Sequence, residues 1–243
     1  MDNLSYIILA AALLPAVILM IIILVRDKEH PEPVSWLARG VFYGVLSAFG
    51  SLAISMPLLS TGLITENYTT PFQATLMAFG GAAIPEETAK LFFLWLLLRK
   101  NPYFDEYLDG IVYAVCIGLG FAAFENVGYL FDAGDEWAFT AIARGLLAVP
   151  AHFFFAVLMG YYYSLVHFGR NPRRNAILMW AAPVLAHGIY DAIAMSTSLT
   201  PGMEGIFSIA LLLFCNELRK LCQRHIGDLQ RVDAEHYNKN PFS

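Results

Sequence analysis

The sequence predicts an all-α protein, a polytopic membrane bundle of about seven transmembrane helices. Of its 243 residues, 58% are hydrophobic and only 14% are charged, whereas a soluble domain carries about 25% charged residues. The apolar residues also gather in seven runs that are long enough to cross a bilayer, because a transmembrane helix needs about 20 residues. The runs cover about 4–25, 36–59, 72–98, 109–131, 138–166, 176–196 and 203–221.

The distribution of lysine and arginine predicts the orientation of these runs. Of the 15 basic residues, Lys90 and Arg144 lie well within runs, and the other thirteen lie at or near alternate ends of successive runs. By the positive-inside rule, the N-terminus is outside and the C-terminus is cytoplasmic. We therefore expect a multi-pass protein of the cell (inner) membrane that retains its first span. The alternating residues are Arg26, Lys28, Arg39, Arg99, Lys100, Arg170, Arg173, Arg174, Arg219, Lys220, Arg224, Arg231 and Lys239.

The whole chain, residues 1–243, is predicted to form a single integral membrane domain, because no loop is long enough for a second one. A catalytic core is expected over about 72–196, and residues 222–243 are expected to form a cytoplasmic tail. The three cysteines show neither metal nor disulfide spacing. No basic patch is interleaved with aromatic residues, so the expected partners are lipid and protein, and no nucleic acid.

Four of the runs contain ionisable residues at a similar depth. A charge at the centre of a transmembrane helix costs about 2.5–3.5 kcal/mol, and residues buried at that cost usually serve a function. Counted at 1.5 Å per residue from the basic end of its run, each of these ionisable residues lies about 18–24 Å from the cytoplasmic edge. That depth is in the outer half of a hydrocarbon core about 30 Å thick. This shared depth predicts one site. The residues are Glu86 and Glu87 with Lys90, Glu125 with Asn126, His152, and His187 with Asp191.

Several of these residues could instead have purely structural roles. Glu86 and Lys90 are spaced i,i+4 and could neutralise each other, but that pairing leaves Glu87 unexplained. Glu125 could hydrogen-bond Tyr129 one turn further on. Asn126 is expected to hydrogen-bond across helices.

Two charged residues outside this layer are expected to have other structural roles. Asp109 is expected to cap a helix at the cytoplasmic edge. Arg144 is expected to snorkel, with residues 138–147 lying along the interface or folding back, because that run is too long for one upright crossing.

Carboxylates and histidines in one pocket favour hydrolysis by an activated water, because the membrane runs contain no serine or cysteine in a nucleophile context. Two versions are open. In the first, Glu86 or Glu87 takes a proton from water, while His152 and Glu125 or Asn126 stabilise the oxyanion. In the second, a divalent metal such as Zn²⁺ activates the water, with a glutamate of the pair as base. The metal ligands would then be His152, His187, Asp191 and Glu125.

The ordered motifs resemble the PrsW family of intramembrane proteases, in the wider group that contains CAAX prenyl endopeptidases and bacteriocin-processing enzymes. The resemblance implies an endopeptidase that cuts membrane-anchored proteins such as anti-sigma factors near the outer face. CAAX endopeptidases usually carry an Arg after the Glu pair and an Asn or second carboxamide in the last motif. Lys90 and Asp191 therefore favour the PrsW branch and not a prenylated substrate. The motifs are Glu86-Glu87-x-x-Lys90, Phe121-x-x-x-Glu125-Asn126, His152 and His187-x-x-x-Asp191, over about residues 80–195. By the same resemblance the functional residues are Glu86, Glu87, Glu125, His152, His187 and Asp191, supported by Lys90 and Asn126.

Two other functional classes remain as alternatives. A proton- or cation-coupled transporter would also bury carboxylates at one depth, although the inverted repeats of many transporters are not evident in the sequence. A non-catalytic scaffold of the same fold is the other alternative, and the intact motifs argue against it.

Overall fold

The computed structural model describes residues 3–239, and within them every regular element is helical. This confirms the predicted all-α membrane bundle. Within residues 3–239, five helical segments are long and apolar enough to cross a membrane: Asn3–Arg26, Val34–Ser60, Tyr107–Asp132, Gly134–His167 and Pro172–Thr197. The α-helices are α1 (Asn3–Arg26), α2 (Val34–Ser60), α3 (Pro71–Leu76), α4 (Ile84–Leu98), α5 (Tyr107–Asp132), α6 (Trp137–Ala143), α7 (Val149–His167), α8 (Pro172–Thr197) and α9 (Glu204–Lys239).

Two of the predicted runs are interrupted by π-helical segments, and both segments end just before a proline. Met77–Ala83 joins α3 to α4, and Arg144–Ala148 joins α6 to α7. Pro85 and Pro150 follow in the first turns of α4 and α7. Because proline has no N–H group, the preceding turn cannot keep the regular i to i−4 hydrogen bond, and the ladder widens there. Pro85 therefore lies in the first turn of α4, where a missing N–H group is tolerated.

The run from residue 137 to 167 is one continuous helical path through the second π-helical segment. The prediction that residues 138–147 fold back is therefore wrong. The wider π turn lets this long run stay helical while its backbone changes register in front of α7.

Helix α5 lies at the centre of the bundle and packs most extensively against α7 and α2. Glycines make these contacts possible. A Cβ atom on Gly120 would lie 2.3 Å from the carbonyl oxygen of Val41, and one on Gly160 would lie 2.4 Å from that of Gly110. Membrane helices associate through such close backbone contacts, because lipid offers no hydrophobic driving force between them.

The ends of α1 and α9 meet the start of α5 at one end of the bundle, which we call the basic end. The Asp233 carboxylate accepts hydrogen bonds from the backbone N–H groups of Tyr107 and Leu108, at 2.9 and 3.0 Å. Gln230 Nε2 donates to the carbonyl oxygen of Arg26 at 2.8 Å. The meeting of these three termini agrees with the alternation of basic residues. Of the predicted tail, residues 222–239 continue α9 and residues 240–243 lie outside the described part.

Asp109 has the capping role that the sequence predicted. Its Oδ2 atom accepts a hydrogen bond from the backbone N–H of Glu106 at 2.7 Å, and the Glu106 side chain caps the first turn of α5 in return. A capping box of this kind satisfies donors that a helix start leaves without partners.

Candidate active site

The predicted polar residues converge from α4, α5, α7 and α8. On α4, Lys90 Nζ lies 2.8 Å from Glu87 Oε1 and 3.2 Å from Glu86 Oε2. The predicted i,i+4 pairing of Glu86 with Lys90 is therefore present, and the same ammonium group also contacts the second glutamate. Glu87 is fully buried, so its charge depends on these contacts for stabilisation.

The ammonium group of Lys90 also connects α4 to α7. It lies 3.2 Å from His152 Nδ1, and His152 Nε2 lies 3.2 Å from Glu125 Oε2 on α5. An ammonium group can only donate, so Nδ1 accepts and the ring proton sits on Nε2, which donates to Glu125. The chain Lys90–His152–Glu125 thus fixes one tautomer of the histidine.

His187 on α8 is held between two carboxylates. Its Nδ1 atom lies 2.8 Å from Glu87 Oε1, and its Nε2 atom lies 3.2 Å from Asp191 Oδ2. The ring of Phe155 stacks on the imidazole at a centroid distance of 4.7 Å. The i,i+4 spacing of His187 and Asp191 therefore places both side chains on the face that meets α4.

Arg144 belongs to the same network, which corrects its predicted snorkelling role. Its Nη2 atom donates to Glu125 Oε2 at 2.6 Å, and its Nε atom donates to Asn126 Oδ1 at 2.8 Å. Its guanidinium group also lies 3.8 Å from the centroid of the Tyr129 ring. Arg144 opens the π-helical segment, whose wide turn directs this side chain to α5. The sequence offered one signal for this role, a charge within an apolar run.

Asn126 connects the site to the first helix. Its Nδ2 atom donates to the carbonyl oxygen of Ala12 at 2.8 Å, so the predicted bond across helices is confirmed. The first helix therefore contributes a backbone acceptor next to the site.

A cavity of about 760 Å³ adjoins these side chains. Glu66 and Tyr68, in the loop before α3, belong to its lining, so the cavity extends to the end of the bundle opposite the basic end. Glu86 lines it, whereas the buried Glu87 lies behind the wall. The other ionisable side chains of the site that line the cavity are Glu125, Arg144, His152, His187 and Asp191.

The donor set fits a divalent metal. One ligand atom from each of Glu86, Glu87, His152 and His187 lies within 4.8 Å of the other three, and zinc favours imidazole and carboxylate ligands. Glu87 Oε2 is buried and has no hydrogen-bond partner within residues 3–239. Such an orphaned oxygen is costly without a cation, a proton or a water beside it.

The remaining two carboxylates lie outside this group of donors. Glu125 and Asp191 each contact one histidine through its Nε2 atom, as carboxylates do when they orient metal-binding histidines. The predicted metal ligands, His152, His187, Asp191 and Glu125, share only the two histidines with the compact group.

Comparisons with known proteins match most of the chain. A family model described as "PrsW family intramembrane metalloprotease" matches residues 32–215, a longer range than the motifs alone suggested. The chain is 34% identical to Protease PrsW of Geobacillus kaustophilus over 206 residues, which cover 84% of this chain and 86% of the relative. It is 31% identical to Protease PrsW of Bacillus subtilis over 227 residues, or 93% of this chain and 99% of the relative. No solved structure matches the chain.

Proposed function

Because the chain belongs to the PrsW family of intramembrane metalloproteases, we propose that it hydrolyses a peptide bond in a membrane-anchored protein of the anti-sigma-factor kind. One observation carries the proposal: carboxylates and histidines from four helices meet at one cavity inside an apolar bundle. We further propose that the protein lies in the cell (inner) membrane, with this site in the outer half of the bilayer.

Glu86 is the proposed general base. Its side chain lines the cavity, so a water molecule and a substrate carbonyl can reach it. Glu86 would take a proton from the water while the water oxygen attacks the carbonyl carbon. Glu86 would then pass that proton to the amide nitrogen as the C–N bond breaks. A positioned base of this kind contributes about 10²–10⁴ in rate.

Glu87 and Asp191 have a positioning role in this proposal. Glu87 contacts both Lys90 and His187 from behind the cavity wall, and Asp191 holds the other nitrogen of His187. These contacts fix the cationic and imidazole groups relative to the base.

The negative charge that develops on the carbonyl oxygen needs donors on the cavity wall. Arg144 lines the cavity and is oriented by Glu125, so its remaining N–H groups can donate to that carbonyl oxygen. His152 also lines the cavity, but both of its ring nitrogens are used by Lys90 and Glu125. Preorganised donors of this kind are usually the largest single contribution to catalysis of acyl transfer.

In the metal-dependent version the ion would be held by His152, His187 and Glu87, which leaves Glu86 as the base. It would supply Lewis-acid polarisation of the peptide carbonyl and a more acidic water. Zinc is the ion that this donor set favours.

Single glutamine substitutions test the proposal. Purified Glu86→Gln is expected to lose at least about 100-fold in cleavage of a single-pass, fluorophore-labelled membrane substrate, with a smaller loss of stability than Glu87→Gln because Glu86 lines the cavity. Glu87→Gln is expected to lose stability as well, because removing one partner of a buried ion pair destabilises the folded state by about 3–5 kcal/mol. Glu66→Gln is the matched control, since Glu66 lines the cavity away from the cluster.

Full activity of both Glu86→Gln and Glu87→Gln would overturn the proposal. Zinc analysis of the purified protein, with and without a chelator in the cleavage assay, decides between the metal-dependent and metal-free versions.

A further inference from the structure

A second group of buried carboxylates lies at the basic end of the bundle. Asp27 follows α1, while Glu106 and Asp109 are at the start of α5, and all three are at most 8% exposed. Asp109 is 16 residues from Glu125 along α5, which corresponds to about 24 Å of helix. This group is therefore separate from the candidate active site.

The three carboxylates are close enough to share one ion. One oxygen from each of Asp27, Glu106 and Asp109 lies within 4.8 Å of the other two. Ligands on opposite sides of a Ca²⁺ ion are about 4.6–5.2 Å apart, because Ca²⁺–O distances are 2.3–2.6 Å. A smaller ion such as Mg²⁺, at 2.0–2.1 Å, requires the oxygens to approach slightly closer.

Two oxygens in the group point at no donor. Asp27 Oδ2 and Asp109 Oδ1 are buried and have no hydrogen-bond partner in the described part of the chain. Asp27 is 3% exposed and Asp109 is fully buried. A buried acceptor without a partner costs about 1–3 kcal/mol, and more when it is charged.

The group has charged neighbours of both signs, and Arg26, Lys28 and His30 line the cavity beside it. His30 Nδ1 contacts Glu106 Oε1 at 2.6 Å, while Asp109 Oδ2 is used by the capping box. Two further buried carboxylates, Glu32 and Asp233, add to the charge. Burial and the Glu32 carboxylate raise the pKa of Asp27 to about 7, which reflects the cost of this crowding.

Two members of the group, Asp27 and Glu106, can be reached from outside the protein. A cavity of about 700 Å³ is lined by Asp27, Glu106 and Asp233, and also by the exposed Glu29. A metal site needs such an entry path as well as ligands.

We propose that Asp27, Glu106 and Asp109 form a binding site for a hard divalent cation, Ca²⁺ or Mg²⁺, at the basic end of the bundle. An all-oxygen ligand set selects such ions over zinc. The ion would connect the segment after α1 to the start of α5, next to the point where Asp233 of α9 is docked. Because it binds only the folded arrangement, it would stabilise the bundle in proportion to its concentration.

Manganese is a suitable probe, because Mn²⁺ accepts carboxylate ligands and free and bound Mn²⁺ are distinguished by electron paramagnetic resonance. We expect the wild-type protein to bind Mn²⁺ saturably and to release it when Ca²⁺ is added. The number bound per chain should fall by one in Asp27→Asn, which removes a ligand charge without touching the capping box. Glu29→Gln, which alters an exposed acid of the same cavity, should bind as the wild type does.

His187→Ala separates this site from the intramembrane donors, and it should keep the Ca²⁺-sensitive Mn²⁺. Loss of the Ca²⁺-sensitive Mn²⁺ in His187→Ala would assign the ion to the intramembrane group and overturn the proposal. Unchanged binding in Asp27→Asn would also overturn it. So would the absence of saturable binding in the wild type, whatever the variants do.

Discussion

Arg144 Nη2 donates a 2.6 Å hydrogen bond to Glu125 Oε2, and this bond joins a π-helical segment to the central helix. The same oxygen also faces His152 Nε2. Glu125 therefore orients an arginine and a histidine at once, and both of these side chains line the cavity.

Replacing Arg144 should weaken the site more than replacing another arginine that lies over an aromatic ring. Arg144→Ala removes hydrogen bonds to Glu125 and Asn126, and a hydrogen bond to a charged group contributes about 1.5–3 kcal/mol. We expect a lower melting temperature and at least a tenfold loss of cleavage. Arg144→Lys should recover only part of both, because one ammonium group cannot reproduce the forked geometry.

The matched control is Arg170→Ala, since Arg170 lies over the ring of Tyr107 at the basic end. Equal cleavage rates for the two alanine variants would contradict a role for Arg144 in the site.

Removing the ammonium group of Lys90 should strengthen zinc binding. Lys90 Nζ lies 2.8 Å from Glu87 Oε1 and 3.2 Å from His152 Nδ1, so it competes for the donors that would hold the metal. Like charges about 4 Å apart repel by about 4 kcal/mol at an effective dielectric constant of 20. Competition with a chromophoric chelator should show at least tenfold tighter zinc binding by Lys90→Met than by the wild type.

His187→Ala is the control that should lose the zinc. The same affinity in Lys90→Met and in the wild type would place the metal away from these donors.

A pair of glycines on α5 offers a test of the packing. Gly120→Ala places a methyl group 2.3 Å from the Val41 carbonyl oxygen, whereas no atom in the described part of the chain lies within 4 Å of the equivalent position on Gly128. Alanine is intrinsically about 1 kcal/mol better than glycine within a helix, so Gly128→Ala should be neutral or slightly stabilising. Gly120→Ala should lower the melting temperature, because α2 and α5 must separate. An unchanged melting temperature for Gly120→Ala would show that α2 and α5 are further apart here than in the structure.

Acidification should destabilise the basic end through His225. The pKa of His225 is lowered by burial, and its ring stacks on Tyr161 at 3.8 Å, near Tyr162 and Asp228. The unfolded chain therefore binds the proton more readily than the folded chain does. The folded state keeps its full stability above about pH 6.5, the usual histidine pKa. That stability falls as the pH drops below this value. His225→Phe should show a smaller fall in melting temperature between pH 8 and pH 5.

His236→Gln is the control, because His236 is an exposed histidine on the same helix. A pH profile of His225→Phe that matches the wild type would exclude this source of acid sensitivity.

The fold and most of the site could be predicted because their physical causes are visible in the residues. Burying a charge in lipid is costly, so Glu86, Glu125 and His187 stand out within apolar runs. Arg144 was misinterpreted because a basic residue near the end of a long run looks the same whether it snorkels or turns inward. Only the path of the π-helical segment distinguishes the two.

Other contributions leave no trace in side-chain chemistry. Ala12 takes part through its backbone carbonyl oxygen, which every residue has. Asp27 and Glu106 resemble ordinary loop charges until α9 and the start of α5 bury them. Such relationships depend on tertiary packing, which hydropathy and spacing do not encode.

The central position of α5 has a consequence for how the protein is assembled during synthesis. Its two main neighbours are α2, made earlier, and α7, made later. When α5 leaves the translocation machinery, the face that carries Gly110 has not yet met its partner on α7. That face is completed when Gly160 arrives on α7. A ribosome that stalls between the two helices would therefore leave a half-built bundle, open to quality-control proteases on the side that α7 normally covers.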